Sequence, residues 1–417
     1  MDSFIIRGPC RLSGSVRISG AKNAMLPLMA ATILTGGRCT LRNVPRLRDT
    51  RTMMKLLDVL GVPSSLEEGT LDVDASSVGS FEAPYDIVRT MRASIYALGP
   101  LVARFGRARV SMPGGCAWGP RPVDLHLKGL KALGARIRID HGYIDASAER
   151  LRGGQIVLSV PSVGATVNIM LAAVLARGES VIENAAREPE ISALAGALRG
   201  AGAAIEGEGT STISIQGVES IAPFDVAVIP DRIEAGTFAA AAAITGGDVE
   251  LTGCSPEHMH AVIDVLSACG ASVEQGPGTL RVRGPGRIAA LDVDTGFYPA
   301  FPTDMQAQIM ALLCIADGAS TIVEHVYPDR FTHVPELRRF GARITLDGSV
   351  AVVAGVERLE GAPVMATDIR ASSALLLAGL VADGETKVLR IYHIERGYEG
   401  IEEKLGALGA DIRRVPE

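Results

Sequence analysis

The chain has 417 residues, 47% of them apolar and 21% charged, with 41 Lys plus Arg against 47 Asp plus Glu for a net charge of −6. That length predicts two or three domains, and the apolar share supports buried cores and argues against wholesale disorder. A mildly acidic chain with 4% aromatics excludes the common nucleic-acid binders, which need cations for phosphates and rings for bases.

At the N-terminus, Met1-Asp2-Ser3-Phe4 lacks a basic region followed by an apolar run, so no secretory signal is expected. The longest apolar stretches, such as Phe238 to Ile244 and Ala374 to Ala382, fall well short of the roughly 20 residues a bilayer requires. Cys10, Cys39, Cys116, Cys254, Cys269 and Cys314 are dispersed without any CxxC pair. They read as reduced thiols of a cytoplasmic protein.

Two markers recur along the chain in one phase. Helix-like runs end in a Gly and a small residue at Gly61, Gly134, Gly202, Gly270, Gly341 and Gly409, spaced by 73, 68, 68, 71 and 68 residues. Ala/Leu-rich helices end at Gly36, Gly106, Gly178, Gly246, Gly318 and Gly384, spaced by 70, 72, 68, 72 and 66. Six units of about 70 residues follow from this double period. Each unit predicts an apolar helix with a Gly C-cap, an alternating strand such as Ser180 to Asn184, an amphipathic helix such as Arg51 to Leu60, and two more short strands. The Ala239 to Ala243 run has no polar face, so its helix is predicted to be buried on all sides. A six-unit solenoid and two domains of three units both satisfy the period.

Fourteen residues before each glycine of the second series stand Lys22, Arg92, Gly164, Arg232, Asp304 and Arg370. Four cations sit where helix dipoles are already positive, which is locally unfavourable. One such residue is an ordinary solvated first-turn side chain; four in one phase point to an anionic ligand that converging N–H groups and cations would share. Lys22 is one of only six lysines against 35 arginines, a hint that a point charge is required there. Asp304, in Ala300-Phe301-Pro302-Thr303-Asp304-Met305-Gln306-Ala307-Gln308, is the acidic exception. Among basic helix ends it would be ionised and able to take a proton from a hydroxyl, although a plain dipole partner explains it equally well.

The segment Pro113-Gly114-Gly115-Cys116-Ala117-Trp118-Gly119-Pro120-Arg121-Pro122 is too rich in Gly and Pro for regular structure, yet it carries a Cys, an Arg and the sole Trp. It reads as a lid, with Cys116 made reactive by neighbouring cations and the other five cysteines as packing residues. No phosphate-binding GxxxxGK[ST] or dinucleotide GxGxxG fingerprint is present. His258 and His260 are two residues apart and would diverge on a helix, so no metal site is expected.

These motifs together resemble the enolpyruvyltransferases, over nearly the whole chain from about Phe4 to Ile412, and within them the branch that serves bacterial cell-wall synthesis. The resemblance rests on Gly20-Ala21-Lys22-Asn23-Ala24, Pro113 to Cys116, Arg121-Pro122-Val123-Asp124-Leu125, Ser162-Val163-Gly164-Ala165-Thr166, Phe301 to Gln308 and Arg396-Gly397-Tyr398-Glu399. It implies an α/β fold of two inside-out α/β barrels, three repeats each, whose buried helix ends face one interdomain cleft. One domain would span 21–229 and carry the Cys116 lid; the other would combine 1–20 with 230–417 and carry Asp304, Arg370 and Arg396.

The implied reaction moves an enolpyruvyl group from phosphoenolpyruvate to the 3′-hydroxyl of UDP-N-acetylglucosamine and releases phosphate. By the same resemblance, Lys22, Asn23, Arg121, Arg370 and Arg396 bind phosphoenolpyruvate and Asp304 is the base at the 3′-hydroxyl. Cys116 serves either as proton donor to the methylene carbon or in product release, with Lys22 and Arg396 also catalytic. Asn23, Arg92, Arg121, Pro122, Val123, Asp124, Leu125, Ser162, Val163, Gly164, Asp304 and Val326 would hold the sugar nucleotide. No cofactor, metal, nucleic acid, membrane insertion or obligate protein partner is implied. Val160 stands where some members carry Lys, Tyr96 where many carry Trp, and Trp118-Gly119-Pro120 makes a bulkier, stiffer lid. A relative using another acceptor, such as shikimate 3-phosphate, and a non-catalytic sugar-nucleotide binder are the rival readings; the lid and the acid/base pair speak against them.

Overall fold

The computed structural model describes residues 2–113 and 123–416. The chain forms two compact units, Gly20–Ile229 and Met1–Ser19 with Pro230–Glu417. Gly20 belongs to the first of these, one residue from the border the resemblance implied, because its backbone packs on Asn43. A Cβ at Gly20 would lie 1.9 Å from the Asn43 carbonyl oxygen.

In Gly20–Ile229 the buried helices are Lys22–Ala31, Leu98–Phe105 and Val163–Ala173. The third packs on the second and on the outer helix Asp124–Ala132; the first packs on the 3₁₀ helix Arg92–Ala97 and on the outer helix Pro189–Gly200. Three mixed four-stranded sheets cover this core. In one of them Arg38–Arg42 pairs antiparallel with Thr70–Asp74, setting Cys39 opposite Val73, and parallel with Asp225–Ala227, setting Leu41 beside Val226. The last strand of the unit thus returns to the sheet of its first. Strand Glu179–Glu183 turns Ser180 and Ile182 inward and leaves Glu179 exposed, the alternation of a sheet with one wet face.

In the other unit Arg232–Ile244, Gln306–Leu313 and Ser372–Val381 pack on one another pairwise. Every residue from Ile233 to Ile244 is buried, as an Ala-rich helix without a polar face requires. Three further mixed sheets surround them. The first residues of the chain complete two of these. Asp2–Gly8 lies antiparallel between Gly384–Leu389 and Asp411–Pro416, with Phe4 and Ile6 at 0% exposure. Ser13–Arg17 runs parallel to Asp248–Thr252. Ser19, which ends the segment, donates its N–H to Glu234 Oε2 at 3.1 Å and its hydroxyl to Glu399 Oε2 at 3.0 Å, while Lys404 Nζ donates to its Oγ at 2.8 Å.

The buried helices stop earlier than the glycine marker predicts. Gly106 does cap its helix in the left-handed region, at φ 72°, and Gly246 follows its helix at φ 60°. Helix Lys22–Ala31 instead tightens into 3₁₀ residues Thr32–Leu34, closed by the Thr35 N–H on the Thr32 carbonyl, before Gly36 is reached. Gly178, Gly318 and Gly384 take positive φ at the entrance to the next strand rather than at the helix end. The amphipathic helix expected from Arg51 begins at Arg48 and buries Thr50, Met53, Leu56 and Leu57.

Phe4 fills the centre of a sheet built from both chain ends. Phe4→Ala is expected to destabilise the unit by about 3–5 kcal/mol, read as a lower urea midpoint with the slope unchanged.

Candidate active site

Within Gly20–Ile229, Lys22 opens a buried helix and its Nζ lies 3.8 Å from Asp49 Oδ2, a carboxylate in the first turn of helix Arg48–Val59. Asn23 follows, half-buried. Arg92 opens the 3₁₀ helix Arg92–Ala97. Its charge faces His126, whose imidazole is pushed down to about 3, first by burial and then by Arg92, and is therefore neutral. The Asn168 amide fixes that ring. Its Nδ2 lies 3.1 Å from His126 Nδ1 and 2.9 Å from the Ile95 carbonyl, and its Oδ1 accepts from Gly99 N–H at 2.7 Å. With Nδ2 as the donor, Nδ1 accepts and the ring proton is assigned to Nε2. A Cβ at residue 164 would come within 3.0 Å of that Nε2, so glycine at this phase-matched position lets the imidazole lie against the start of helix Val163–Ala173. Ser162 caps this helix, its Oγ accepting from Ala165 N–H at 3.3 Å. Val123 is buried just before helix Asp124–Ala132, Asp124 is exposed and Leu125 is half-buried. Cys116, Arg121 and Pro122, with the rest of the expected lid from Gly114 to Pro122, lie outside the described residues.

In the other unit Asp231 caps helix Arg232–Ile244, its Oδ1 accepting from the N–H groups of Ile233 and Glu234 at 2.9 and 3.1 Å. Its Oδ2 takes a 2.7 Å hydrogen bond from Arg370 Nη2, and Arg370 Nη1 donates to the Gly397 carbonyl at 2.8 Å. The Arg370 side chain is 3% exposed. Burial works against its charge, but Asp231 and the other groups nearby outweigh that and push its pKa upward. The guanidinium lies over the Tyr398 ring, 5.0 Å from the centroid. Tyr398 hydroxyl in turn meets Thr237 Oγ1 at 2.9 Å and Ser373 Oγ at 3.1 Å, on two different buried helices. Arg396 ends the 3₁₀ helix Ile391–Arg396 beside this knot and is half-buried.

Asp304 sits in the 3₁₀ turn Thr303–Met305 that leads into helix Gln306–Leu313, with its side chain 27% exposed. Arg330 Nη2 donates to its Oδ1 at 2.6 Å, and Arg330 Nη1 donates to Thr303 Oγ1 at 2.9 Å. Val326 lies in the turn just before Arg330; its N–H donates to Glu324 Oε1 at 2.9 Å. Asp368 receives the N–H groups of Arg370 and Ala371 on Oδ1, which fixes the start of the third buried helix.

The cations at the helix starts are thus partly matched by protein carboxylates: Asp49 stands near Lys22 and Asp231 holds Arg370. Sequence reasoning assigned that compensation to a ligand alone. It also missed Arg330, whose Nη2 lies 2.6 Å from Asp304 Oδ1. Asp231 and Asp368 had a local signal, an acidic residue one or two places before a phase-matched Arg. Arg330 and Asn168 had none, nor had Glu324 towards Thr303, since those partners are far away in sequence. Among the described residues no group of His, Cys, Asp and Glu is placed to hold a metal, and no helix is long and apolar enough to cross a membrane.

A carboxylate beside buried arginines at the openings of apolar helices is suited to anionic substrates and to proton transfer from a hydroxyl. The chain matches the EPSP synthase (3-phosphoshikimate 1-carboxyvinyltransferase) family over residues 6–405 and belongs to that family. Within it, the chain is 55% identical over 418 residues to the UDP-N-acetylglucosamine 1-carboxyvinyltransferase of Trichlorobacter lovleyi, covering 100% of both chains. It is 54% identical to the protein of the same name from Myxococcus xanthus, covering 99% of each. Among solved structures, the enolpyruvyl transferase NikO of Streptomyces tendae superposes with a TM-score of 0.90 at 29% identity, over 100% of this chain and 99% of that one. EPSP synthase of Acinetobacter baumannii shares the fold at a TM-score of 0.78 and 19% identity, over 100% of both chains.

His126 and His333 are each pushed down to about 3, first by burial and then by Arg92 and Arg330 respectively. The unfolded imidazoles take up protons near pH 6.5, which the folded ones refuse, so stability is full above that pH and declines as pH falls towards 3. The urea midpoint is expected to fall between pH 6.5 and 5, and to fall less steeply in a His126→Asn, His333→Leu double variant.

Proposed function

We infer that the chain transfers the enolpyruvyl group of phosphoenolpyruvate to the 3′-hydroxyl of UDP-N-acetylglucosamine and releases phosphate, the first committed step of bacterial peptidoglycan synthesis. The observation that carries this reading is end-to-end identity of 55% to a protein named for that reaction. The arrangement around Asp304 and Arg370 supports it chemically.

Lys22, Arg121, Arg370 and Arg396, with Asn23, hold the phosphoenolpyruvate trianion. Asn23, Arg92, Arg121 to Leu125, Ser162 to Gly164 and Val326 hold the sugar nucleotide, whose diphosphate suits the first-turn N–H groups of helix Val163–Ala173. Asp304, kept anionic by the Arg330 guanidinium beside it, takes the proton of the 3′-hydroxyl as that oxygen adds to C2 of phosphoenolpyruvate. A proton joins C3, which becomes a methyl group. The C2–O bond to phosphate then breaks, C3 returns a proton, and the enolpyruvyl ether remains. Fixed arginines stabilise charge at the departing phosphate without reorganising, because partners such as Asp231 and the Gly397 carbonyl already hold them in place. Cys116 serves either as proton donor to the methylene carbon or in product release. No cofactor or metal enters this scheme. We place the reaction in the cytoplasm, a reading that the five free thiols among the described residues support.

The test is phosphate release from phosphoenolpyruvate with UDP-N-acetylglucosamine, beside shikimate 3-phosphate as control acceptor. Release is expected with the sugar nucleotide alone, and Asp304→Ala is expected to lower kcat by about 10²-fold or more. Release with shikimate 3-phosphate alone would assign another acceptor, and tight nucleotide binding without turnover would assign a non-catalytic binder. Fosfomycin, a phosphoenolpyruvate mimic, is expected to inactivate the enzyme irreversibly, and Cys116→Asp to abolish that inactivation. Full activity after prolonged incubation with saturating drug would remove Cys116 from the site.

A further inference from the structure

Glu324 is 1% exposed and uses both carboxylate oxygens. Oε1 accepts from Thr295 Oγ1 at 2.8 Å and from the N–H groups of Val326 and Tyr327, each at 2.9 Å. Oε2 accepts from Thr303 Oγ1 at 2.9 Å. The Thr303 hydroxyl has spent its only proton there, so it can only accept from Arg330 Nη1, and Arg330 passes its second nitrogen to Asp304 Oδ1. A carboxylate only accepts, a guanidinium only donates and a hydroxyl does one of each, which leaves a single polarity for the chain Glu324, Thr303, Arg330, Asp304.

Resting on the reaction assigned above, we propose that Glu324 and Thr303 are positioning residues: through Arg330 they orient and keep ionised the Asp304 base, and through the same carboxylate they hold the Val326 backbone for the sugar nucleotide. One buried acid thereby sets both the group that takes the hydroxyl proton and part of the surface that presents the hydroxyl. Arg330, Arg370 and Asp368 are among the charged groups of this unit that bear on Asp304. Of these, Arg330 alone is tied to Glu324. Buried networks of this kind lose function steeply when one member is removed, because the remaining members are left without partners.

The test separates positioning from simple stability. Thr303→Val keeps the shape and deletes the hydroxyl; Thr303→Ser restores it. Glu324→Gln keeps the oxygen that meets the two N–H groups but turns an amide nitrogen towards Thr303, which then has no acceptor for its own proton. With phosphoenolpyruvate saturating, Thr303→Val and Glu324→Gln are expected to lower kcat/KM for UDP-N-acetylglucosamine about tenfold. Both are expected to move the acid limb of its pH profile upward by about half a unit to one unit. The KM for phosphoenolpyruvate should change less than about twofold, and Thr303→Ser should restore both limb and rate. The titration of the Asp304 carboxyl carbon, followed by ¹³C NMR and assigned with Asp304→Asn, should move with the limb. A wild-type limb in Thr303→Val, an equal loss in Thr303→Ser, or an effect confined to the unfolding temperature overturns the proposal. A wild-type protein that releases no phosphate overturns the assigned reaction instead, and the carboxyl titration then decides the positioning role by itself.

Discussion

Each unit depends on one constraint: its three central helices have no polar side. Helices such as Arg232–Ile244 and Gln306–Leu313 bury nearly every residue they contain, so the only backbone groups they can offer a ligand are those at their ends. Chemistry is therefore confined to the first turns, and the polar residues of the core gather there. The Tyr398 hydroxyl meets Thr237, one turn inside its helix, and Ser373, in the first turn of its own; further along the same helices the side chains are apolar.

That confinement creates an electrostatic problem and supplies its answer. Four of the six phase-matched positions carry a cation against a positive dipole end. Acids brought in from neighbouring turns offset this: Asp49 for Lys22, Asp231 for Arg370. Asp231 also caps its own helix, so one carboxylate satisfies two N–H groups and an arginine at once. The arrangement holds the Arg370 guanidinium in place through Asp231 and the Gly397 carbonyl, and a cation fixed in advance is the kind that stabilises a developing charge without reorganising.

The periodic part of the architecture is legible in the sequence because its signals are local. Gly106 and Gly246 mark helix ends by their own backbone geometry, and the Ala239 to Ala243 run declares its burial by composition. Gly178, Gly318 and Gly384 carry the same period but serve the following strand, which is why they misplace the helix ends by several residues. Lys22, Arg92, Asp304 and Arg370, positions proposed for the site, are found by counting, since the repeat places them. Arg330, Glu324 and Asn168 are not, because each acts on a group at least 20 residues away from a position with no periodic marker. Gly164 looked like a gap in the series of cations; the reason for it is the His126 ring, visible only once the two helices are packed.

The strand order has a consequence for synthesis. Gly20–Ile229 is contiguous and closes on itself when Asp225–Ala227 joins Arg38–Arg42, so it can fold as soon as residue 229 has left the ribosome. The segment before Gly20 emerges earlier still but waits for later partners: Ser13–Arg17 for Asp248–Thr252, and Asp2–Gly8 for Gly384–Leu389 and Asp411–Pro416. Until those later strands are made, the apolar Phe4-Ile5-Ile6 strand is unpaired, the kind of exposed edge that invites mispairing. The second unit is completed only when Asp411–Pro416 becomes available to close on Asp2–Gly8, so two segments some 400 residues apart are zipped together in one sheet.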